Sequence, residues 1–207
     1  TYIMFPSDWD PSALPEIGYE YLVEVSCDGS KYREIKNLFQ QTMKDYSICR
    51  LRRTQSPALW QHFQLQKEHI EKRSPGQEVD ERLLFHRMSP SSMPAICKQN
   101  FNWRTCGTHF TRFLTHGFFW SLGSYCARDA SYSHQYCPSS TDHHSMLVAQ
   151  IPVGDFVQGN QFYLRPPARP GISNKLLDSC VDIQKNPSIF VIFGKHHIYM
   201  AYILEYT

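Results

Sequence analysis

A short apolar run that ends in a histidine constrains the fold of this chain most: Leu83, Leu84 and Phe85 are followed directly by His86. A run of this length predicts a buried strand. Ligand sites often lie in the loops at strand ends, so His86 is a candidate site residue. On its own, however, this histidine is more simply interpreted as an ordinary buried side chain. The Ser-Pro-Ser-Ser sequence over 89–92 then predicts the start of a short helix.

Strands dominate the rest of the pattern, and two helices come early. Apolar residues at helical spacing predict helices over 31–43 and from Pro57 to Arg73. Ser56 is expected to cap the second helix, with Leu59, Trp60, Phe63, Leu65 and Ile70 on its apolar face. Strands are predicted over 19–26, 47–54, 146–153, 155–157, 178–182, 188–193 and 200–206. A Pro/Gly-rich loop is predicted over 162–177, and the whole pattern predicts an α+β fold.

Length and charge limit the class of protein. The 207 residues, 42% of them hydrophobic, are enough for one domain with a sizeable core. We expect residues 1–18 to form an extended N-terminal linker that packs Trp9 onto a domain over 19–207. A formal net charge of +2 gives little support to nucleic-acid binding, including RNA binding through Arg50, Arg52 and Arg53. No apolar run approaches the roughly 20 residues that a membrane span needs.

The cysteine pattern favours a reducing compartment. The seven cysteines are an odd number, and no two lie two to four residues apart. This spacing supports neither a zinc site nor a disulfide framework, so we expect free thiols in the cytoplasm or nucleus and no bound metal. Because the chain begins without methionine, we also expect it to be a fragment of a longer protein.

Three segments offer the groups that a nicotinamide dinucleotide would need. The chain has no strand followed by Gly-x-Gly-x-x-Gly, which excludes a Rossmann site. A different scaffold would need backbone groups and a hydroxyl for the carboxamide, an aromatic face for the ring and a donor for a ribose hydroxyl. These groups are present at the end of the His86 strand and in segments 123–136 and 187–193.

Four motifs carry a resemblance to a known family: VDERLLFH (79–86), AICKQNFNWR (95–104), YCARDASYSHQY (125–136), and DSCVD (178–182) with NPSIFVIF (186–193). With them the chain resembles, over nearly its whole length, the catalytic domain of the poly(ADP-ribose) polymerase family, in the branch that carries CCCH zinc fingers and WWE modules. The resemblance implies the ADP-ribosyltransferase fold, in which antiparallel sheets and flanking helices surround an NAD cleft. It also implies a monomeric, membrane-free domain that transfers a single ADP-ribose from NAD+ to protein acceptors and meets nucleic acid only through modules outside this chain.

Residue roles follow from the resemblance, position by position. His86 resembles the family histidine that donates to the adenosine ribose, and Tyr125 the tyrosine packed against the nicotinamide side of NAD. Ser133 resembles the serine that binds the carboxamide, and Tyr136 the tyrosine that stacks on the nicotinamide ring. Their spacing from Tyr125 predicts one helix over 129–136 with Ser133 and Tyr136 on one face. Ile189 stands where chain-elongating members have glutamate, which implies mono-ADP-ribosylation.

The same residues also have purely structural interpretations. Without the resemblance, Tyr125 and Tyr136 would be interpreted as core aromatics, and Ser133 as a residue that caps or solvates its helix. Ile189 is predicted to be a core strand residue whatever the function.

Two substitutions and one segment depart from the family pattern. Arg87 replaces the glycine whose backbone holds the carboxamide, so we expect its side chain to crowd the nicotinamide. Met88 replaces a threonine or serine, which removes one polar contact. Segment 101–125 is longer and more apolar than in relatives. These departures favour an alternative, a catalytically inactive domain that acts as an interaction scaffold in a larger RNA-binding or antiviral protein.

Overall fold

The computed structural model describes residues 4–14, 21–88, 123–137, 139–160, 162–163 and 165–207. Its helices are α1 (Ser30–Gln40), α2 (Pro57–Arg73) and α3 (Ala130–His134). Short 3₁₀ turns cover Pro11–Ala13 and Lys195–His197. Its strands are β1 (Tyr21–Glu24), β2 (Ile48–Gln55), β3 (Glu81–Arg87), β4 (Ser124–Ala127), β5 (His144–Pro152), β6 (Phe156–Gln158), β7 (Ala168–Arg169), β8 (Ile172–Leu176), β9 (Ser179–Val181), β10 (Ile189–Ile192) and β11 (Tyr199–Tyr206).

A nine-stranded sheet organises the described part of the chain, in the order β1-β2-β11-β5-β3-β4-β10-β9-β6. Its described pairs are antiparallel except for β6 with β9. The strand that carries His86, β3, lies in the middle and pairs with β5 from Glu81 to Arg87. The predicted strand is therefore a central one: Leu84 and Phe85 are each 1% exposed, and Leu83 is partly buried.

Strand β3 contributes to apolar clusters on both faces of the sheet. Phe85 packs in a cluster with the buried faces of the two long helices, among them Phe39 and Phe63. Leu84 packs in a second cluster with Leu147. Successive strand residues point to opposite faces, so this division follows directly from the strand geometry.

The N-terminal segment packs onto this core through Trp9. This side chain is 7% exposed and lies 5.7 Å from Trp60 and 6.2 Å from Tyr199, measured between ring centroids. Gln55 fastens the same segment, since its amide donates to the Asp10 carbonyl at 3.0 Å and accepts from the Asp10 N–H at 2.7 Å. The predicted docking of Trp9 is therefore confirmed.

Several local predictions need correction. Leu65 was expected on the buried face of α2 but is 44% exposed. Ser56 holds the N-cap position of α2, yet its side chain makes no capping hydrogen bond within the described residues. The predicted loop over 162–177 contains the β7–β8 hairpin. Pro170 followed by Gly171 at φ 77° is the signature of a type II turn, and this signal was present in the sequence.

The predicted helix after 89 and nearly all of the apolar segment 101–125 lie outside the described residues. Among the described helices, none combines the length and apolar character required to cross a bilayer.

Candidate functional site

His86 lies at the end of β3, where that strand and β4 part. Within the described residues, these strands pair at Phe85 and Ala127. Beyond this pair, the His86 side chain links the two strands, because its Nδ1 lies 2.6 Å from the Tyr125 carbonyl oxygen. A carbonyl oxygen can only accept, so Nδ1 carries the hydrogen. The imidazole is 4% exposed, and burial lowers its pKa to about 4 even though the Tyr125 carbonyl works to raise the pKa. At neutral pH the ring is therefore uncharged and Nε2 is an acceptor.

Ser133 fastens α3 to the same strand end. Its side chain is 4% exposed, and its Oγ donates to the Phe85 carbonyl oxygen at 3.1 Å. Because Phe85 directly precedes His86, this bond brings the hydroxyl predicted to bind a carboxamide to the end of β3. The candidate hydroxyl on α3 is thus bonded to the residue that directly precedes the candidate imidazole on β3.

The helix predicted over 129–136 is shorter than expected, which corrects the prediction that Ser133 and Tyr136 share one helix. Ser133 lies on α3 and Tyr136 follows two residues after the helix ends, whereas Tyr125 precedes them on β4. The N–H of Tyr136 donates to the Ser133 carbonyl at 3.0 Å, so one further turn keeps the two residues adjacent. The ring of Tyr136 packs against Tyr132 with centroids 5.3 Å apart. A proline at 138 disfavours helical geometry at residue 137, so the segment is not expected to continue as a helix beyond this turn.

Asp129 precedes α3 without capping it by its side chain. Both of its carboxylate oxygens accept from Arg128, each at 3.0 Å. The carboxylate that a helix N-terminus would ordinarily use is therefore engaged by its neighbour. Arg128 also donates to Asn186 at 2.9 Å, which ties the start of α3 to the loop before β10.

Ile189 begins β10 opposite Ala127, and Asp182 fixes its position. The Asp182 carboxylate accepts from the N–H groups of Ser188 and Ile189 at 2.9 and 3.1 Å and from the Ser188 hydroxyl. Partial burial works to raise the pKa of Asp182, but these hydrogen bonds outweigh it and hold the pKa below its usual value. Sequence reasoning included Asp182 in a motif without assigning it this bracing role.

The two departures from the family differ in their surroundings. Arg87 is the last residue of β3, is partly buried and pairs in register with Met146. Met88 is 2% exposed and packs in the apolar cluster that contains Leu84 and Cys126. The thioether of Met88 is therefore part of the core. The predicted crowding of a ligand by Arg87 stays a prediction.

A cavity of about 540 Å³ lies elsewhere, between the end of α2, the turn before β6 and the β7–β8 hairpin. Its base contains the buried Asp178 carboxylate, which pairs with Arg73 at 3.0 Å and with Arg169 at 3.5 Å. Asp178 also accepts from the Asp155 N–H at 2.9 Å, and Arg169 pairs with the Asp155 carboxylate at 2.8 Å. Two guanidinium groups thus offset two carboxylates, which makes this cluster a brace between three elements.

Metal ligation has no candidate in the described ranges: no group of three His, Cys, Asp or Glu side chains there could hold an ion. The five cysteines in these ranges, Cys27, Cys49, Cys126, Cys137 and Cys180, are all free.

Comparison with known proteins identifies the family. The family model of the poly(ADP-ribose) polymerase catalytic domain matches residues 29–163, which is more than half of the chain. The chain therefore belongs to this family, and the predicted family and α+β fold class are both confirmed.

Among individual relatives, human protein mono-ADP-ribosyltransferase PARP12 is 45% identical over 202 residues, covering 98% of this chain and 28% of that protein. Mouse protein mono-ADP-ribosyltransferase PARP11 is 33% identical over 224 residues, covering 99% of this chain and 65% of that protein. Mouse zinc finger CCCH-type antiviral protein 1 is 28% identical over 95 residues, covering 46% of this chain and 9% of that protein. The chain thus spans between about a quarter and two thirds of the length of the two mono-ADP-ribosyltransferases.

Proposed function

We propose that this domain is an NAD+-dependent protein mono-ADP-ribosyltransferase, which transfers one ADP-ribose to a protein side chain and releases nicotinamide. The observation that carries the proposal is the hydrogen bond from Ser133 to the Phe85 carbonyl, which joins α3 to β3 beside the buried, neutral His86. Relatives named protein mono-ADP-ribosyltransferases support the same activity.

The residues at this site fit the nicotinamide half of NAD+. The backbone of Arg87 and the hydroxyl of Ser133 would bind the carboxamide, and Tyr136 would stack on the ring. Ser133 has a single hydroxyl hydrogen, so it would exchange the Phe85 carbonyl for the ligand when it donates. NAD+, when bound, supplies the ADP-ribosyl group whose bond to nicotinamide is broken.

The tautomer of His86 sets the direction of its contact with a ribose. Nδ1 is committed to the Tyr125 carbonyl, so Nε2 of the neutral ring would accept a hydrogen bond from a ribose hydroxyl. The sequence-based expectation had this histidine donating. Donation from Nε2 would require the imidazolium, which burial disfavours at neutral pH.

Ile189 supports transfer of a single unit. A growing chain needs a hydroxyl of the previous ADP-ribose to act as nucleophile, and a carboxylate at this position could accept its hydrogen bond. The isoleucine side chain has no acceptor, and the hydrogen bond from its N–H to the Asp182 carboxylate holds its backbone in place. The acceptor protein would therefore have to supply its own nucleophile.

The experiment that tests the proposal measures binding first and product second. A thermal shift with NAD+ and with benzamide, a mimic of the nicotinamide amide, should raise the melting temperature, because a ligand at 100 times its Kd adds about 2.7 kcal/mol of stability. Labelled NAD+ should then give a protein product that carries one ADP-ribose. Tyr136→Ala should remove both signals, whereas Ser139→Ala in the exposed loop after α3 should remove neither.

The scaffold alternative makes the opposite prediction, and Arg87 is the observation that favours it. A folded wild-type domain that binds neither ligand would overturn the proposed activity. If Arg87→Gly then gained benzamide binding, the arginine side chain would be identified as the group that closes the site.

We further propose that the acceptors are proteins and that the domain works in the cytoplasm or nucleus. The free cysteines of the described residues support such a reducing compartment. Imaging of the labelled full-length protein tests this placement, and finding the protein in an oxidising compartment would contradict it.

A further inference from the structure

His134 joins the short helix α3 to two tyrosines from distant parts of the chain. It directly follows Ser133 and is the last residue of α3. Its Nδ1 lies 2.7 Å from the Tyr206 hydroxyl, and its Nε2 lies 3.1 Å from the Tyr46 hydroxyl. A neutral imidazole has one donor and one acceptor, so one hydroxyl must accept from the ring and the other must donate to it.

Tyr206, the tyrosine on the sheet, is held in place by close packing. Tyr206 is fully buried at the end of β11, and its ring lies 5.0 Å from Phe39 and 5.4 Å from His144 between centroids. Cys137, just after α3, donates to the Ser133 carbonyl at 3.3 Å.

The candidate site has two walls: one is the end of β3, with Arg87 and Met88, and the other is α3 with Ser133 and the turn to Tyr136. Ser133 joins them directly through the Phe85 carbonyl, and His134, the next residue, ties α3 to β11 through Tyr206. Tyr206 is fully buried, whereas His134 and Tyr46 are partly buried. Losing the bond between His134 and Tyr206 is therefore the costlier change, because it would leave the buried Tyr206 hydroxyl without this partner in a medium of low dielectric.

Helix α3 depends on such contacts for its position. A helix of five residues is far below the length at which helices are stable alone, so tertiary contacts must place it. At its start, the Ser131 N–H donates to the Thr42 hydroxyl at 3.2 Å, and Ala130 is fully buried. At its end, the connection to the sheet runs through the hydrogen bond between His134 and Tyr206 on β11.

We propose that His134 is a positioning residue for the nicotinamide site: through Tyr46 and Tyr206 it holds α3 so that Ser133 and Tyr136 keep their distance from the end of β3. The inference rests on the proposed function, because it assigns the ligand contacts to Ser133 and Tyr136. His134 itself does not touch the ligand in this assignment, and its effect passes through the placement of its helix.

Three variants test this role. His134→Phe keeps a ring of similar size but removes both hydrogen bonds, and His134→Asn keeps an amide that can reach Tyr206 from the Nδ1 side. Ile35→Val is the matched control, since it removes one buried methylene from α1, at a stability cost typical of core truncations, and removes none of the hydrogen bonds of α3. Melting temperature, benzamide affinity by calorimetry, and the KM for NAD+ and kcat are measured for each.

The expected pattern separates positioning from stability. His134→Phe should weaken benzamide binding and raise the KM for NAD+ by at least about tenfold, since displacements near 1 Å at a site have effects of this order or larger. His134→Asn should recover part of that loss, and Ile35→Val should lower the melting temperature while leaving the affinity within about twofold. If His134→Phe does not fold, Tyr46→Phe removes one hydroxyl at the partly buried end and should weaken binding by a smaller factor.

The outcomes distinguish this inference from the proposed function. Wild-type protein that binds no benzamide overturns the proposed function and the role of His134 with it. Wild-type binding together with unchanged affinity in His134→Phe, or in Tyr46→Phe where the former is unfolded, overturns only the role of His134. An affinity loss that Ile35→Val reproduces at equal melting temperature also overturns it, because the effect would then be one of general stability.

Discussion

Met88→Thr restores a family-like residue and should nevertheless destabilise this domain. The Met88 side chain is 2% exposed and packs against an apolar cluster, so threonine would leave a cavity and bury a hydroxyl there. Truncating a buried methionine to alanine costs about 2–5 kcal/mol, and threonine recovers only part of that volume. We therefore expect a loss of about 2–4 kcal/mol in the free energy of unfolding. At about 2–4 °C per kcal/mol for a domain of this size, the melting temperature should fall by about 4–16 °C.

Differential scanning calorimetry of the wild type and Met88→Thr measures this directly, with Arg87→Gly as the neighbouring control. Glycine at the end of β3 removes a partly buried side chain and should cost only about 0.5–1 kcal/mol. A melting temperature of Met88→Thr within about 2 °C of the wild type would refute the reasoning, since it would mean that no core packing was lost. A larger fall for Arg87→Gly than for Met88→Thr would also contradict it.

Three other perturbations test the packing around the site. Gly154→Ala should lower the melting temperature by several degrees, because φ is 57° and a Cβ would overlap the Asp178 carboxylate. An unchanged melting temperature in calorimetry would contradict this backbone geometry at Gly154. Trp9→Ala should cost about 3–5 kcal/mol in urea unfolding, and a loss below 1 kcal/mol would mean that the N-terminal segment is not docked. Acidification should destabilise the domain through His86 and His197, whose folded pKa values are about 4 against an ordinary 6.5. Their contribution is complete above pH 6.5 and is lost as the pH falls towards 4, because the unfolded chain takes up protons first. Urea unfolding at pH 7 and pH 5 measures this loss of stability, and His197→Phe should make the difference between the two pH values smaller. An equal free energy of unfolding at pH 7 and pH 5 would contradict the prediction.

The elements that sequence predicted well are those in which local pattern and burial agree. The run before His86 is a central strand, and Pro57 begins α2 as its position after Ser56 indicated. The prediction that Leu65 is buried was wrong for a physical reason. An apolar residue at roughly helical spacing can still lie outside the face that a 17-residue helix buries. The β7–β8 hairpin was missed although Pro170 and Gly171 carry its turn signal.

The geometry of the candidate site was less accessible, because it depends on contacts between residues far apart in sequence. The motif over 125–136 named Ser133 and Tyr136, but the helix that was to place them ends at His134. The bonds of His134 join positions separated by 88 and 72 residues, and hydrogen bonds at such separations leave no periodic signal in one sequence.

The two substitutions after His86 therefore carry different weight for function. Met88 lies in the core, where its volume is matched by apolar neighbours, so its replacement of a hydroxyl residue is compensated by packing. Arg87 ends the strand at the position whose backbone would bind the carboxamide, and a residue on a paired strand keeps its backbone geometry whatever its side chain. Ligand binding at this site therefore depends on where the Arg87 side chain lies when a ligand enters. Benzamide occupies only the carboxamide end of the site, so weak benzamide binding that Arg87→Gly strengthens would assign the obstruction to this one guanidinium.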